Sequence, residues 1–191
     1  MLVCIFAPTP PPQYPMKPDA IGIQYGILAG IANILIIMVA YLTNPDLMFS
    51  YWLGTLTFLI PILLITLAAL KHRQIQDGYV TFKEVFRTIF LVILIASTIL
   101  IVFDYIFYNM IAPDMMERVK EFSINKLEAY REALGEQGYD AAIERIEQQD
   151  RGLRTEAMSL VFFIIFYSLI GLIVAAIVKR KKPLALHDTL N

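Results

Sequence analysis

Residues 157–178 read AMSLVFFIIFYSLIGLIVAAIV, and residues 179–182 end the run with KRKK. No acid or base interrupts it. A helix needs about 20 mostly apolar residues to cross roughly 30 Å of hydrocarbon, so this stretch is long enough to span a bilayer. Ala20–Pro45 and Leu47–Leu70 are equally free of ionisable side chains, and Thr88–Ile111 is free of them except for Asp104. The reading is an all-α integral membrane four-helix bundle, with spans at about 20–43, 47–70, 82–111 and 157–178. The soluble alternative would need four helices apolar on every side, and a domain this small cannot bury them.

Composition agrees. The 191 residues are 58% hydrophobic and 17% charged, against about 45–50% and 25% in soluble domains. Disordered chains, disulfide scaffolds and ordinary cytosolic enzymes are excluded. A net charge of −1 gives no bulk attraction to nucleic acid. Cys4 is the single cysteine, and His72 and His187 stand far apart, so no metal or cofactor site is expected. Hydrolase, phosphate-loop and His-x-x-x-His motifs are absent, as are intramembrane Ser/Lys and paired-aspartate arrangements, so no enzyme activity is expected either.

The breaks between runs carry their own signals. Asn44-Pro45-Asp46 marks a tight turn that makes the first two spans antiparallel neighbours. Asp77-Gly78 marks another turn, and Thr81-Phe82-Lys83-Glu84 is a capping box that starts the third helix near Phe82. Lys71, Arg73, Lys83 and Arg87 lie between spans two and three, and four more bases follow span four. The positive-inside rule then places both termini in the cytoplasm. Seven bases in the loop between spans three and four weigh against that orientation.

That loop, residues 112–156, has eleven acids against seven bases, a net of −4. Asp114 and Glu117 open a helix, and Met115, Met116, Val119, Phe122, Leu127, Tyr130, Ala133 and Leu134 form one stripe at 100° per residue. The stretch 135–138 (GEQG) interrupts it, and Tyr139, Ala142, Ile143, Ile146 and Leu153 form a second stripe. The expectation is an external amphipathic helical hairpin that caps the bundle or docks a partner. Residues 1–19 form a Pro-rich tail, unless Met16 is the start, and 184–191 a C-terminal tail.

A few residues inside the spans stand out. Gly22, Gly26 and Gly30 recur every four residues, a spacing that lets helix backbones approach closely, with Asn33 on much the same face to hydrogen-bond across the contact. Gly171 and Ala175 repeat the spacing in span four. Pro61 withdraws one backbone hydrogen bond from span two. Asp104 is the one ionisable residue within a span, roughly 33 Å along its helix from Phe82. That places it at the far interface, beside an aromatic belt of Tyr105, Phe107 and Tyr108, within reach of Arg151 or Arg154. Ser97, Ser159 and Ser168 are expected to bond to their own helix backbones.

The glycine-spaced first helix around Tyr25-Gly26, the segment 78–86 (GYVTFKEVF), Pro113-Asp114 and the lysine-rich stop together resemble domain-of-unknown-function family 4199, small four-span bacterial membrane proteins. The resemblance covers about residues 18–183. It implies a bacterial inner-membrane location and no assigned activity, so no functional residue carries over. Two functions fit these residues. The first is a non-enzymatic accessory, regulatory or self-assembling membrane subunit, meeting another copy or a membrane-protein partner through 112–156. The second is a small transporter or ion-coupled carrier using Asp104 and Asn33.

Overall fold

The computed structural model describes residues 18–148 and 152–180, so the readings made for the Pro-rich tract, Arg151 and the tail from Lys181 lie outside it. Six helices follow in order: α1 Pro18–Thr43, α2 Tyr51–Ile75, α3 Phe82–Ile106, α4 Asp114–Glu128, α5 Arg131–Glu147 and α6 Leu153–Val178. A 3-10 turn, Pro45–Phe49, precedes α2, and a π turn, Phe107–Ile111, prolongs α3. Among the described residues the β structure is a single bridge, Val80 to Arg180.

The local causes are those the sequence carries, with two differences. Thr81 Oγ1 accepts from the Glu84 N–H, and Glu84 Oε2 accepts from the Thr81 N–H at 2.9 Å, closing the capping box. The first difference is the start of α2. Asn44 Oδ1 accepts from the Asp46 N–H at 2.9 Å and Ser50 Oγ from the Trp52 N–H at 3.3 Å, so α2 begins at Tyr51 and not at Leu47. Apolarity is the same in a 3-10 turn and a helix; the caps decide. At its other end α2 runs on through His72 and Arg73, basic residues favoured in a last turn by the helix dipole.

The second difference is in the 112–156 segment, where the chain bends twice. α4 stops at Glu128, ahead of the predicted glycine break, because Tyr130 leaves helical geometry and Glu128 turns back to bind Arg131 and the Tyr139 hydroxyl. Gly135, at φ 67°, makes the second bend in the left-handed region that favours glycine. As a result Tyr130 and Leu134, predicted on the buried stripe, are exposed, while Met115 and Tyr139 are buried.

α1, α2, α3 and the end of α6 form the core, with α3 central and packed on the other three. Arg87 meets Asp19 at 2.8 Å, and Val80 and Arg180 exchange backbone hydrogen bonds, so these groups share one end of the bundle. At the opposite end Arg118 of α4 meets Asp46 at 2.7 Å, and Met115 packs with Phe107 and Ala112 against Tyr41 and Phe49. Phe107 is therefore a core residue of that end, not part of an exposed aromatic belt.

α1, α2, α3 with its π turn, and α6 are each long and apolar enough to cross a membrane. Their outward faces stay apolar: on α6, Phe162 is 65% exposed and Ile177 75%. Such surfaces in water would forfeit roughly 25 cal/mol per Å², whereas in a bilayer they face a matching solvent. This is the surface of a membrane protein.

Candidate functional site

Small residues bring α1 against α3. A Cβ added at Gly22 would lie 2.8 Å from Leu91 Cβ, at Gly26 2.8 Å from Ile95 Cβ, and at Gly30 2.8 Å from Ile99 Cγ2. Gly171 does the same for α6, where an added Cβ would lie 2.6 Å from Ile89 Cγ2. The glycine face is thus occupied from within the chain. Asn33, 2% exposed, does not reach across the contact as expected: its Nδ2 donates to the Ala29 carbonyl one turn back, at 3.1 Å.

Beside these contacts, along the same stretch of α3, the helices part around a cavity of about 310 Å³, a volume at the lower end of small-molecule sites. Asn33, Pro61 and Asp104 all line it, joined by Thr57 and Phe58 of α2, Ser97 of α3 and Tyr167 of α6. The cavity follows α3 from Val92 to Asp104, which is about 18 Å of helix. Asp104 stands at the α4 end, half-buried, and Ile65, Val92 and Ile93 make the other end apolar. Tyr167 donates from its hydroxyl to the Phe58 carbonyl at 3.4 Å, fastening α6 to α2 across the space. Three predicted residues from three helices therefore meet, and the glycines stand apart as packing residues.

Pro61 acts here through what it lacks. Without an N–H it cannot bond the carbonyl of Thr57 four residues back, which releases an acceptor on the α2 wall. Thr57 Oγ1 in turn donates to the Leu53 and Gly54 carbonyls at 2.9 and 3.1 Å. Gly54 borders the cavity and also a second groove between α2 and α4, lined by Phe49, Tyr51, Phe122 and Lys126. A Cβ added at Gly54 would meet nothing within 4 Å. The groove and the cavity share Gly54 and Phe58 as a common wall.

The family's sequence pattern matches residues 24–180, under the description "Protein of unknown function (DUF4199)". The chain belongs to this family. No curated protein and no solved structure matches it. Membership in DUF4199 assigns no role to any residue, so the site stands on its geometry alone.

Sequence reasoning passed over Gly54, Thr57 and Tyr167, and expected of Ser97 only a bond to its own helix backbone. One signal for them was present: Gly54, Thr57, Phe58, Pro61 and Ile65 follow helical spacing along one face, and Ser97 and Asp104 are two turns apart on another. It also passed over His72, 1% exposed, which shares a 2.8 Å hydrogen bond with Thr88 between α2 and α3 at the basic end. Among the described residues no group of three or more potential metal ligands comes together. Ser168 departs from its expectation: its buried Oγ has no hydrogen-bond partner.

Proposed function

We propose that this DUF4199 chain crosses the membrane four times and, without catalysing a reaction, binds a small amphipathic molecule inside its bundle. One observation carries the reading: Asn33, Pro61 and Asp104, chosen from sequence for unrelated reasons, line a single cavity. Membrane-embedded polar groups around a space of ligand size are what a carrier or membrane receptor requires. Self-assembly through the glycine face has less support, because α3 already fills that face. A partner docked on the 112–156 segment, folded as an external hairpin, is favoured by the exposure of Tyr130 and Leu134. The placement that goes with this reading is a bacterial cytoplasmic membrane with the basic end inside. Lys71, Arg73, Lys83, Arg87, Lys179 and Arg180 are the bases near that end.

The test is ligand-dependent thermal stabilisation of the purified chain in a neutral maltoside micelle, using octylammonium, octanol and octanoate as probes. A molecule that binds only the native state raises the melting temperature, and the rise grows with the logarithm of its free concentration above Kd. At least one probe should stabilise the wild type. Gly54→Leu places its side chain in open space at the cavity wall, so it should fold and lose the response. A wild type that none of the three probes stabilises would sink the proposal.

A further inference from the structure

We infer that the basic end of the bundle holds an anionic phospholipid, its phosphate at Lys83 and Lys179 and one acyl chain along Phe82, Phe86 and Phe90 of α3. The site lies on the outer face of the bundle and is independent of the cavity. The sign of the charge comes first. Lys71, Arg73, Lys83, Arg87, Lys179 and Arg180 gather at this end with three acids, Asp19, Asp77 and Glu84, a net of +3 among the described residues. Two of the acids are engaged: Asp19 pairs with Arg87 at 2.8 Å, and Glu84 closes the capping box with Thr81. Among the described residues Arg87 is the one base of the six that closes an ion pair. Lys83 and Lys179 are both exposed. Lysines placed at a membrane surface attract anionic headgroups.

Charge alone would give a diffuse attraction; a ladder of aromatic rings below it makes a site. Residues four apart on a helix stand one above the other. Phe82 and Phe86 stack with centroids 6.0 Å apart and planes within 2° of parallel, and Phe90 follows 6.2 Å from Phe86. Phe86 packs on the core, whereas Phe82 and Phe90 are 37% and 38% exposed, so the ladder is a fixed wall open to lipid. Leu94, also exposed, continues it. Phe82 to Leu94 is about 18 Å of helix, close to the depth of one leaflet in a hydrocarbon core of roughly 30 Å.

The end of α6 joins charge to wall. Backbone hydrogen bonds of 2.9 and 3.0 Å between Val80 and Arg180 tie that end to the start of α3. Lys179 Nζ then sits 6.0 Å from the Phe82 ring centroid, at the outer limit of a cation–π contact. Lys83 is the next residue after Phe82 along the chain. Two ammonium groups are thus rooted beside the top ring of a wall as long as an acyl chain. A lipid with a net negative head matches both parts. A zwitterionic lipid carries its own cation and matches the wall only.

Trp52 is the single tryptophan, 85% exposed at the opposite end, and it supplies the control for a fluorescence test. The full chain with Trp52→Phe and Phe90→Trp is reconstituted in vesicles of dioleoyl phosphatidylcholine. Phosphatidylglycerol or phosphatidylcholine with brominated acyl chains then replaces part of that lipid at equal mole fraction, and bromine quenches an indole that it touches. Phosphatidylglycerol should quench with an apparent affinity about fivefold or more above that of phosphatidylcholine, the scale of two lysines beside anionic heads. Adding Lys83→Gln with Lys179→Gln should bring the two lipids level, while Lys83→Arg with Lys179→Arg should keep the preference; circular dichroism checks that each variant is folded. The chain with Trp52 in place and Phe90 unchanged should show no preference for phosphatidylglycerol. Equal quenching by both lipids at Phe90→Trp, a preference that survives loss of the two lysines, or the same preference at Trp52 would each overturn the inference. Quenching by neither lipid would show that protein, such as a second copy of this chain, covers the face, and would overturn it as well.

Discussion

Gly26, within α1, and Gly54, in the first turn of α2, are chemically identical residues, and their surroundings give them opposite values. At Gly26 a methyl group would lie 2.8 Å from Ile95 Cβ and 3.1 Å from the Val92 carbonyl, atoms that cannot move without parting α1 from α3. Gly26→Ala should destabilise the chain by about 1–3 kcal/mol, the usual cost of overpacking. At Gly54 the methyl group meets open space, and only the helical preference for alanine remains. Gly54→Ala should stabilise, by less than the about 0.5–1 kcal/mol that alanine gains over glycine in mid-helix. Unfolding of the two variants by denaturing detergent, with helicity as the readout, checks the pair; shifts of the same sign would contradict the packing assigned to α1 and α3. The regular spacing of Gly22, Gly26 and Gly30 made their packing role legible in the sequence, but the identity of the partner helix was not, since spacing describes one helix only. Asp104 and Asn33 were legible by residue type, as polar groups in apolar runs. Thr57 and Ser97 were not, because a hydroxyl commonly bonds its own helix, and only the cavity sets these two apart.

At the scale of elements, caps and apolar runs were read from local chemistry, and the bends in the 112–156 segment were misread for want of it. The end of α4 depends on Glu128 finding Tyr139, eleven positions on, a contact that no local pattern encodes. The bond has a pH signature. The Tyr139 hydroxyl, foremost, and then Arg131 hold the Glu128 carboxyl below its ordinary 4.5. A group with a lowered folded value contributes stability above its ordinary value and loses it as pH falls through the folded value. The same bond raises the Tyr139 phenol above its ordinary 10.0, so its contribution is complete below 10.0 and is lost as pH rises through the folded value. The α4–α5 contact is therefore strongest between about pH 4.5 and 10. Difference absorbance titration of wild type against Tyr139→Phe should show one phenol ionising late. Glu128→Gln should return that phenol toward its ordinary range; a late phenol that persists in Glu128→Gln would rule out this account.

Over the whole molecule, the four long helices alternate in direction, and their connections sort into two chemically different ends. Three breaks read from sequence were enough to imply this, because a short turn such as Asn44-Pro45-Asp46 leaves the next helix no course except back along its neighbour. What sequence could not supply was the closure of the bundle, made by the Val80–Arg180 bridge and the Arg87–Asp19 pair at one end and by Arg118–Asp46 at the other. Gln76, in the α2–α3 connection, and Glu128, at the end of α4, are both exposed and belong to opposite ends. In a Cys4→Ser background, Gln76→Cys and Glu128→Cys should react with a membrane-impermeant thiol reagent from opposite faces of sealed vesicles. Labelling of Glu128→Cys on intact cells, with Gln76→Cys protected until lysis, would fit the basic end facing inward, since six lysines and arginines near it resist translocation. The reverse pattern would invert the orientation and leave the bundle unchanged. Labelling of both from one face would break the alternation itself, because helices as long as α2 and α3 cannot both cross a bilayer and leave those two residues on the same side.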